Sequence, residues 1–335
     1  MNRRSPSRAL LRPLALLWPI AARFRAFAYR ARLLRAKRLP GTVISVGNLT
    51  TGGTGKTPVV LWIAERLHSE GKRVAVLTRG YRSRSAVPAG TPRSDEVAIY
   101  RERLAGRAEL GVGANRYETG LTLAKHGVEW FVLDDGFQHL QLTRNADIVL
   151  LDSTDPFGAG GAWPRESKSA LARADVVVIT RTSHAPALEE IARRYIQAPV
   201  FYATMEWDET LAVANQSVAG SARNAASNWR ARKAFAFCAV GNPAAFFDDL
   251  KRWGATVVGS AEFPDHHFFT LADAAQIAEQ AAAAGAEILL CTEKDVFNLQ
   301  EVWFSLPAYF IRANIQFADP EGFWRAVHDA MQRKH

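Results

Sequence analysis

Cysteine is almost absent. Two residues, Cys238 and Cys291, occur in 335, each inside an apolar run at 235–240 and 288–291. They assemble neither a disulfide scaffold nor a zinc site, which points to a reducing compartment. Acidic residues are missing from positions 1–40, where eleven Lys/Arg fall, so the rest of the chain nets about −2 out of a total of +9. That near-neutral remainder argues against a nucleic-acid partner. A membrane-spanning run is also missing from the basic segment: its longest uncharged stretch, 13–22, falls short of the roughly 20 apolar residues needed. Arg12 interrupts the apolar core that a cleaved signal peptide requires. Internal repeats and long low-complexity tracts are absent too.

What the basic segment does contain is amphipathic. Phe24, Phe27, Ala28, Ala31 and Leu34 recur at helical spacing, while Arg23, Arg30 and Lys37 repeat every seven residues. That pattern fits a helix lying at a membrane surface, each Lys/Arg near an anionic leaflet contributing on the order of 1 kcal/mol. An ordinary basic packing helix is the other reading.

The rest is organised around a phosphate-binding loop. A strand, Val43-Ile44-Ser45-Val46, runs into Gly47-Asn48-Leu49-Thr50-Thr51-Gly52-Gly53-Thr54-Gly55-Lys56-Thr57, and a helix begins at Pro58. In such a loop the backbone from Thr50 to Thr57 wraps a triphosphate, Lys56 reaches the outer phosphates and the Thr57 hydroxyl ligates Mg²⁺. Thr50 stands where the longer consensus wants glycine, so the loop takes the G-G-x-G-K-T form. Membrane-associated switch ATPases share that form, but they carry a signature lysine where this chain has Thr51.

Downstream, a second strand ends in Thr78-Arg79-Gly80-Tyr81. After a Ser/Pro/Gly-rich loop, Asp95-Glu96 open a helix. Asp95 reads either as its N-cap or as a carboxylate able to take a proton from a substrate hydroxyl. A buried strand from Trp130 ends in Asp134-Asp135-Gly136-Phe137-Gln138-His139, the place for a Mg²⁺-positioning carboxylate. Further apolar strands at 148–152 and 176–179 predict a doubly wound parallel sheet of the P-loop NTPase type, with ligands at the carboxyl ends of its strands. From about 198 two short strands form a connector, and a smaller α/β unit follows. The expected divisions are 1–40, 41–197, 198–232 and 233–335. In the last, His266 and His267 could ligate a metal, act as local hydrogen-bond donors or pair with a carboxylate from the other unit. Thr270 and Asp273 predict a capped helix.

Together, the loop, Thr78-Arg79-Gly80-Tyr81, Asp95-Glu96, Asp134-Asp135-Gly136-Phe137-Gln138-His139, Pro164-Arg165-Glu166, Asp265-His266-His267 and Thr292-Glu293-Lys294-Asp295 resemble the tetraacyldisaccharide 4'-kinases of Gram-negative lipid A biosynthesis, from about residue 8 to 320. The resemblance implies two α/β domains joined by a β connector, ATP and Mg²⁺ as cofactors, and an acylated glucosamine disaccharide 1-phosphate as substrate. It implies Asp95 as general base supported by His266, Asp134 and Asp135 near the metal, and Tyr81, Glu96, Arg116, Gln138, His139, Arg165 and Glu166 lining the site. It also implies a peripheral or monotopic place on the cytoplasmic face of the inner membrane. The alternative is a membrane-associated P-loop switch ATPase.

Overall fold

A computed structural model describes residues 24–25, 27–29, 31, 33–80, 94–158, 164–213, 229–299 and 302–333. Tyr81, loop residues 83–93, most of the basic segment and residues 214–228 of the connector lie outside them. Among the described residues no helix is long and apolar enough to cross a membrane.

The first block alternates β1 (Thr42–Asn48), α1 (Lys56–Ser69), β2 (Val74–Thr78), α2 (Asp95–Arg103), β3 (Glu109–Val112), α3 (Arg116–Lys125), β4 (Trp130–Asp134), β5 (Ala146–Asp152), β6 (Val176–Thr180) and α4 (Pro186–Arg193). Next comes β7 (Val200–Ala212). The second block comprises β8 (Lys233–Cys238), α5 (Pro243–Arg252), β9 (Thr256–Glu262), α6 (Leu271–Ala283), β10 (Ile288–Thr292) and α7 (Glu293–Val296). β11 (Ala308–Phe317) and α8 (Pro320–Arg333) end the described chain. The strands form one eleven-stranded sheet in the order β3-β2-β4-β1-β5-β6-β7-β11-β10-β8-β9. β5 and β6 are buried along their whole length, as strands covered by helices on both faces must be, which is why their sequences are unbroken apolar runs.

One register fixes where ligands can go. Every strand pair is parallel except β7 with β11, which is antiparallel from Tyr309↔Ala212 to Phe317↔Ala203. β6 joins this seam at one end, Thr180 facing Ala203, and β10 at the other, Thr292 facing Ile311. The two parallel blocks therefore run in opposite directions, and their carboxyl ends meet over the middle of the seam. A bulge between Arg312 and Ala313 lies at that midpoint and bends the sheet there.

Two expectations need correction. Among the described residues the two short connector strands are one 13-residue strand. Glu206, Asp208 and Glu209 interrupt its apolar pattern, yet a strand in a seam that is only partly covered tolerates charge in its middle. Residues 320–333, expected with the second unit, pack instead on the first block. Phe323, Trp324, Val327 and Met331 share a core with Val59, Ile63 and Leu67 of α1, and Arg66 pairs with Glu321 at 2.8 Å.

Candidate active site

Between the facing carboxyl ends lies a cavity of about 630 Å³, walled by residues 51–57 on one side and by Asp265, His266 and Lys294 on the other. The loop owes its shape to glycine where it must. Gly52 and Gly55 adopt φ of 110° and 81°, the left-handed range. Gly55 caps α1 without any side-chain hydrogen bond, so the first-turn N–H groups are left for a ligand. The loop is braced from beneath: Asn48 Nδ2 donates to Thr54 Oγ1 at 2.9 Å, Thr180 Oγ1 to the Thr54 carbonyl at 3.1 Å and Gln138 Nε2 to the Asn48 carbonyl at 2.8 Å. Lys56 Nζ donates to Asn48 Oδ1 at 3.3 Å and lies 3.7 Å from Asp135. Burial lowers its pKa, and Asp135 opposes that effect.

Asp134 and Asp135 follow β4 into the cavity but face different surroundings. Asp134 Oδ2 accepts a hydrogen bond from Thr78 Oγ1 at 3.0 Å. Burial, then its neighbour Asp135, raises its pKa, so this carboxylate gains most from a cation. Asp135 has φ 52°, and Arg165 Nη1 lies 2.6 Å from each of its carboxylate oxygens. Burial alone would raise Asp135 as well, but Lys56 and Arg165 prevail and hold it below its ordinary value. Arg116 donates to the Asp135 carbonyl at 3.3 Å. With Thr57 in the first turn of α1, the donors are all oxygens, which suits Mg²⁺.

Opposite them, His266 Nδ1 lies 3.1 Å from both Asp95 carboxylate oxygens. Asp95 occupies the first turn of α2 rather than its N-cap, which is Ser94, and its Oδ1 also accepts the Glu96 N–H at 3.0 Å. The Asp95 side chain is 3 % exposed and that of His266 38 %, so the imidazole is the member nearer solvent. Asp95, first by hydrogen bond, raises the His266 pKa to about 9 against burial. Burial raises Asp95, while His266 and Lys294 pull it back. Burial prevails at Asp95, whose pKa stays above its ordinary value, while His266 is an imidazolium at neutral pH. His267 has a different partner: its Nε2 lies 3.0 Å from Asp273 and its ring stacks on Phe263 at 5.1 Å. Asp273 closes the expected capping box with Thr270. Asp95, Glu96 and His266 converge within 4.8 Å, as metal ligands could. The Lys294 ammonium, 2.9 Å from Glu96, already neutralises that group.

Some expected lining residues stand elsewhere. Thr50 is buried and bridges to Pro164. Gln138 lies behind Asn48 as a brace. Glu166 is held by Arg173 at 2.7 and 2.8 Å, away from the cavity. His139 is also off the wall. Burial, then Arg116 and Arg144, lowers its pKa to about 4, so it is a neutral ring. Conversely, Asn48, Thr78 and Lys294 carry contacts that motif reading had not assigned. For Lys294 the signal was present in Thr292-x-x-Asp295, a capping box that turns the chain sharply at the end of a buried strand.

A glycine loop between β1 and α1, paired carboxylates after β4 and a carboxylate–imidazole pair across the cleft define a phosphate-loop phosphotransferase fold and site. A family profile described as tetraacyldisaccharide-1-P 4'-kinase matches residues 7–332. Tetraacyldisaccharide 4'-kinase from Pelobacter propionicus is 34 % identical, the match covering 99 % of this chain and 96 % of its own length. The protein of that name from Geobacter metallireducens is 34 % identical over 95 % and 97 %. Among solved structures, LpxK from Aquifex aeolicus in complex with ATP is 27 % identical, with a TM-score of 0.68 over 97 % of this chain and 99 % of that one. The chain belongs to the tetraacyldisaccharide-1-P 4'-kinase family. The switch-ATPase alternative gains nothing from these matches.

Proposed function

We propose that the cavity binds ATP and passes its γ-phosphoryl group to the 4'-hydroxyl of an acylated glucosamine disaccharide 1-phosphate, the precursor of lipid A. The observation that carries this reading is the Asp95–His266 pair in the same cavity as the phosphate loop. A proton acceptor placed opposite a triphosphate site, across a cleft between two blocks, serves transfer to the hydroxyl of a second substrate. The backbone from Thr51 to Thr57 and the Lys56 ammonium hold the phosphates. Thr57 and Asp134 would hold Mg²⁺, with Asp135 beside them; the ion would neutralise charge on the transferring phosphoryl oxygens. Asp95 takes the hydroxyl proton, and the His266 imidazolium keeps it ionised and oriented. Arg165, fixed by Asp135, and Arg116 add positive charge to the metal-side wall.

Two working lobes, 41–197 with residues 320–333 packed on it and 233–317, with 198–232 between them, would close over the substrates and exclude water. Residues 1–40 would dock the protein on the cytoplasmic face of the inner membrane. Phe24, Phe27 and Leu33 are 71 %, 59 % and 71 % exposed, apolar groups left for a lipid surface. The test is transfer of labelled γ-phosphate to the disaccharide lipid in detergent micelles by wild type and Asp95→Ala, a base contributing about 10²–10⁴-fold. Labelled lipid with wild type, reduced on that scale in the variant, is expected. ATP hydrolysis without labelled lipid would overturn the reading.

A further inference from the structure

α2, which carries Asp95, is gripped from the second block at both ends. At its start, His266 holds Asp95 and Lys294 Nζ donates to Glu96 Oε1 at 2.9 Å. At its finish, Arg103 Nη1 meets Glu293 Oε2 at 3.3 Å and Arg312 bonds Glu102. Its apolar side, Ile99 and Tyr100, belongs to the core of the first block. The helix is a plank between the blocks, and beyond His266 the cation at its first turn is Lys294, bound to the residue next to the base.

Lys294 is presented on a fixed backbone. It stands two residues after the end of β10, and the Thr292 N–H and hydroxyl donate to Asp295 Oδ2 at 2.9 and 2.6 Å. Asp295 Oδ1 accepts the Ala239 N–H at 2.8 Å, tying the turn to the end of β8. Burial would lower the Lys294 pKa, but Glu96 and Asp95 outweigh it, so the ammonium stays charged. Lys294 in turn overcomes burial at Glu96 and holds it well below its ordinary value. Neither group could keep its charge here without the other.

We propose that Lys294 is a positioning residue for phosphoryl transfer: its ion pair with Glu96 fixes the first turn of α2, so Asp95 faces the phosphate loop only when the two blocks are docked. This rests on the kinase reading given above. A base displaced by about 1 Å loses on the order of 10²-fold in rate, so a contact one residue from Asp95 has that much leverage.

The test compares wild type with Lys294→Met, Lys294→Arg, Glu96→Gln and the double variant Lys294→Met/Glu96→Gln in the lipid phosphorylation assay. Lys294→Met should lower kcat by about 10²-fold and change the KM for ATP by less than about threefold, the signature of a lost transition-state alignment. Lys294→Arg should recover a large part of that loss. The double variant should be no slower than Lys294→Met alone, because the pair acts as one unit. A merely structural role would leave the pH profile in place. The groups facing Asp95 are His266, with Asp265 behind it, from the loop before α6, Lys294 and Asp295 from α7, and Glu96 on its own helix. Loss of the one lysine among them should move the acid limb of kcat to higher pH. Unchanged kcat, a raised KM for ATP with kcat intact, or an unshifted acid limb would each overturn the proposal. Should Lys294→Met fail to fold, Lys294→Gln and Glu96→Gln carry the same comparison. An inactive wild type refutes the kinase reading, whereas an active wild type with unaffected variants refutes this inference alone.

Discussion

Replacing Asp95 with asparagine keeps the shape of the side chain and removes the anion that His266 faces. The structure puts the His266 pKa at about 9, up from an ordinary 6.5, with Asp95 as the first cause. At about 1.4 kcal/mol per pH unit that rise corresponds to roughly 3 kcal/mol. The imidazole is 38 % exposed, so solvent screening brings the figure to about 1–2 kcal/mol. The sign follows from linkage: a folded-state pKa above the unfolded value means the folded protein holds the proton more tightly. The stabilisation is full below about pH 6.5 and is lost as pH climbs through 9. In Asp95→Asn the His266 midpoint should therefore drop toward 6.5, and the stability gap to wild type should shrink between pH 6.5 and 9. The assay is a titration of the imidazole nitrogens by NMR, with His266→Gln identifying the resonance among eight histidines, alongside thermal melts across the same range. A wild-type His266 titrating near 6.5, or a midpoint unmoved in Asp95→Asn, would refute both the ion-pair state and the assignment of Asp95 as the ionised acceptor.

Gly241 in the second block touches the phosphate loop: a Cβ there would lie 2.9 Å from Gly52 Cα and 3.0 Å from Gly53 N. Gly241→Ala should therefore weaken nucleotide binding by several-fold while the melting temperature changes little, read by calorimetric titration with ATP. Phe323 is fully buried and stacked on Phe317 at 4.2 Å; Phe323→Ala should cost about 3–5 kcal/mol in denaturant unfolding and leave kcat per folded molecule intact. His266 has φ 59°, where alanine is strained and glycine is not, so His266→Gly should be the more stable of the two by about 1 kcal/mol, the reverse of their order in a helix.

The legible parts of the sequence were those with a local physical signature. β5 and β6 announce themselves as unbroken apolar runs, the phosphate loop by its glycines and the start of α6 by Thr270 and Asp273. β3 is four residues long, contains Gly111 and sits at the sheet edge, so nothing in its composition marks it as a strand. The meeting of the two carboxyl edges depends on the pairing of β7 with β11. Those strands are some hundred residues apart, and no window of sequence reports their register. For the same reason motif reading could place Asp95 at the opening of a helix and His266 before another but could not give the 3.1 Å between them. Gln138, His139 and Glu166 were drawn toward the cavity by their motifs. The structure uses two of them behind it: the Gln138 amide braces Asn48, and Glu166 neutralises Arg173.

Among the described residues three non-glycines have positive φ: Asp135 at 52°, Arg181 at 66° and His266 at 59°. All three line the one cavity. A side chain in that conformation costs on the order of 1–2 kcal/mol, and in each case a charged contact offsets it. Asp135 has Arg165, Arg181 has Asp152 at 3.1 Å and Asp249 at 2.8 Å, and His266 has Asp95. Asp135 and Arg181 come directly after β4 and β6, where a strand that continued straight would send its next side chain to one face of the sheet. The left-handed step turns the chain at once, so the side chain enters the space between the blocks. Two of these contacts, Arg181–Asp249 and His266–Asp95, cross from one block to the other. At His266, and in part at Arg181, the strain is therefore offset by contacts that exist only while the blocks face each other, which couples docking of the blocks to the shape of the site.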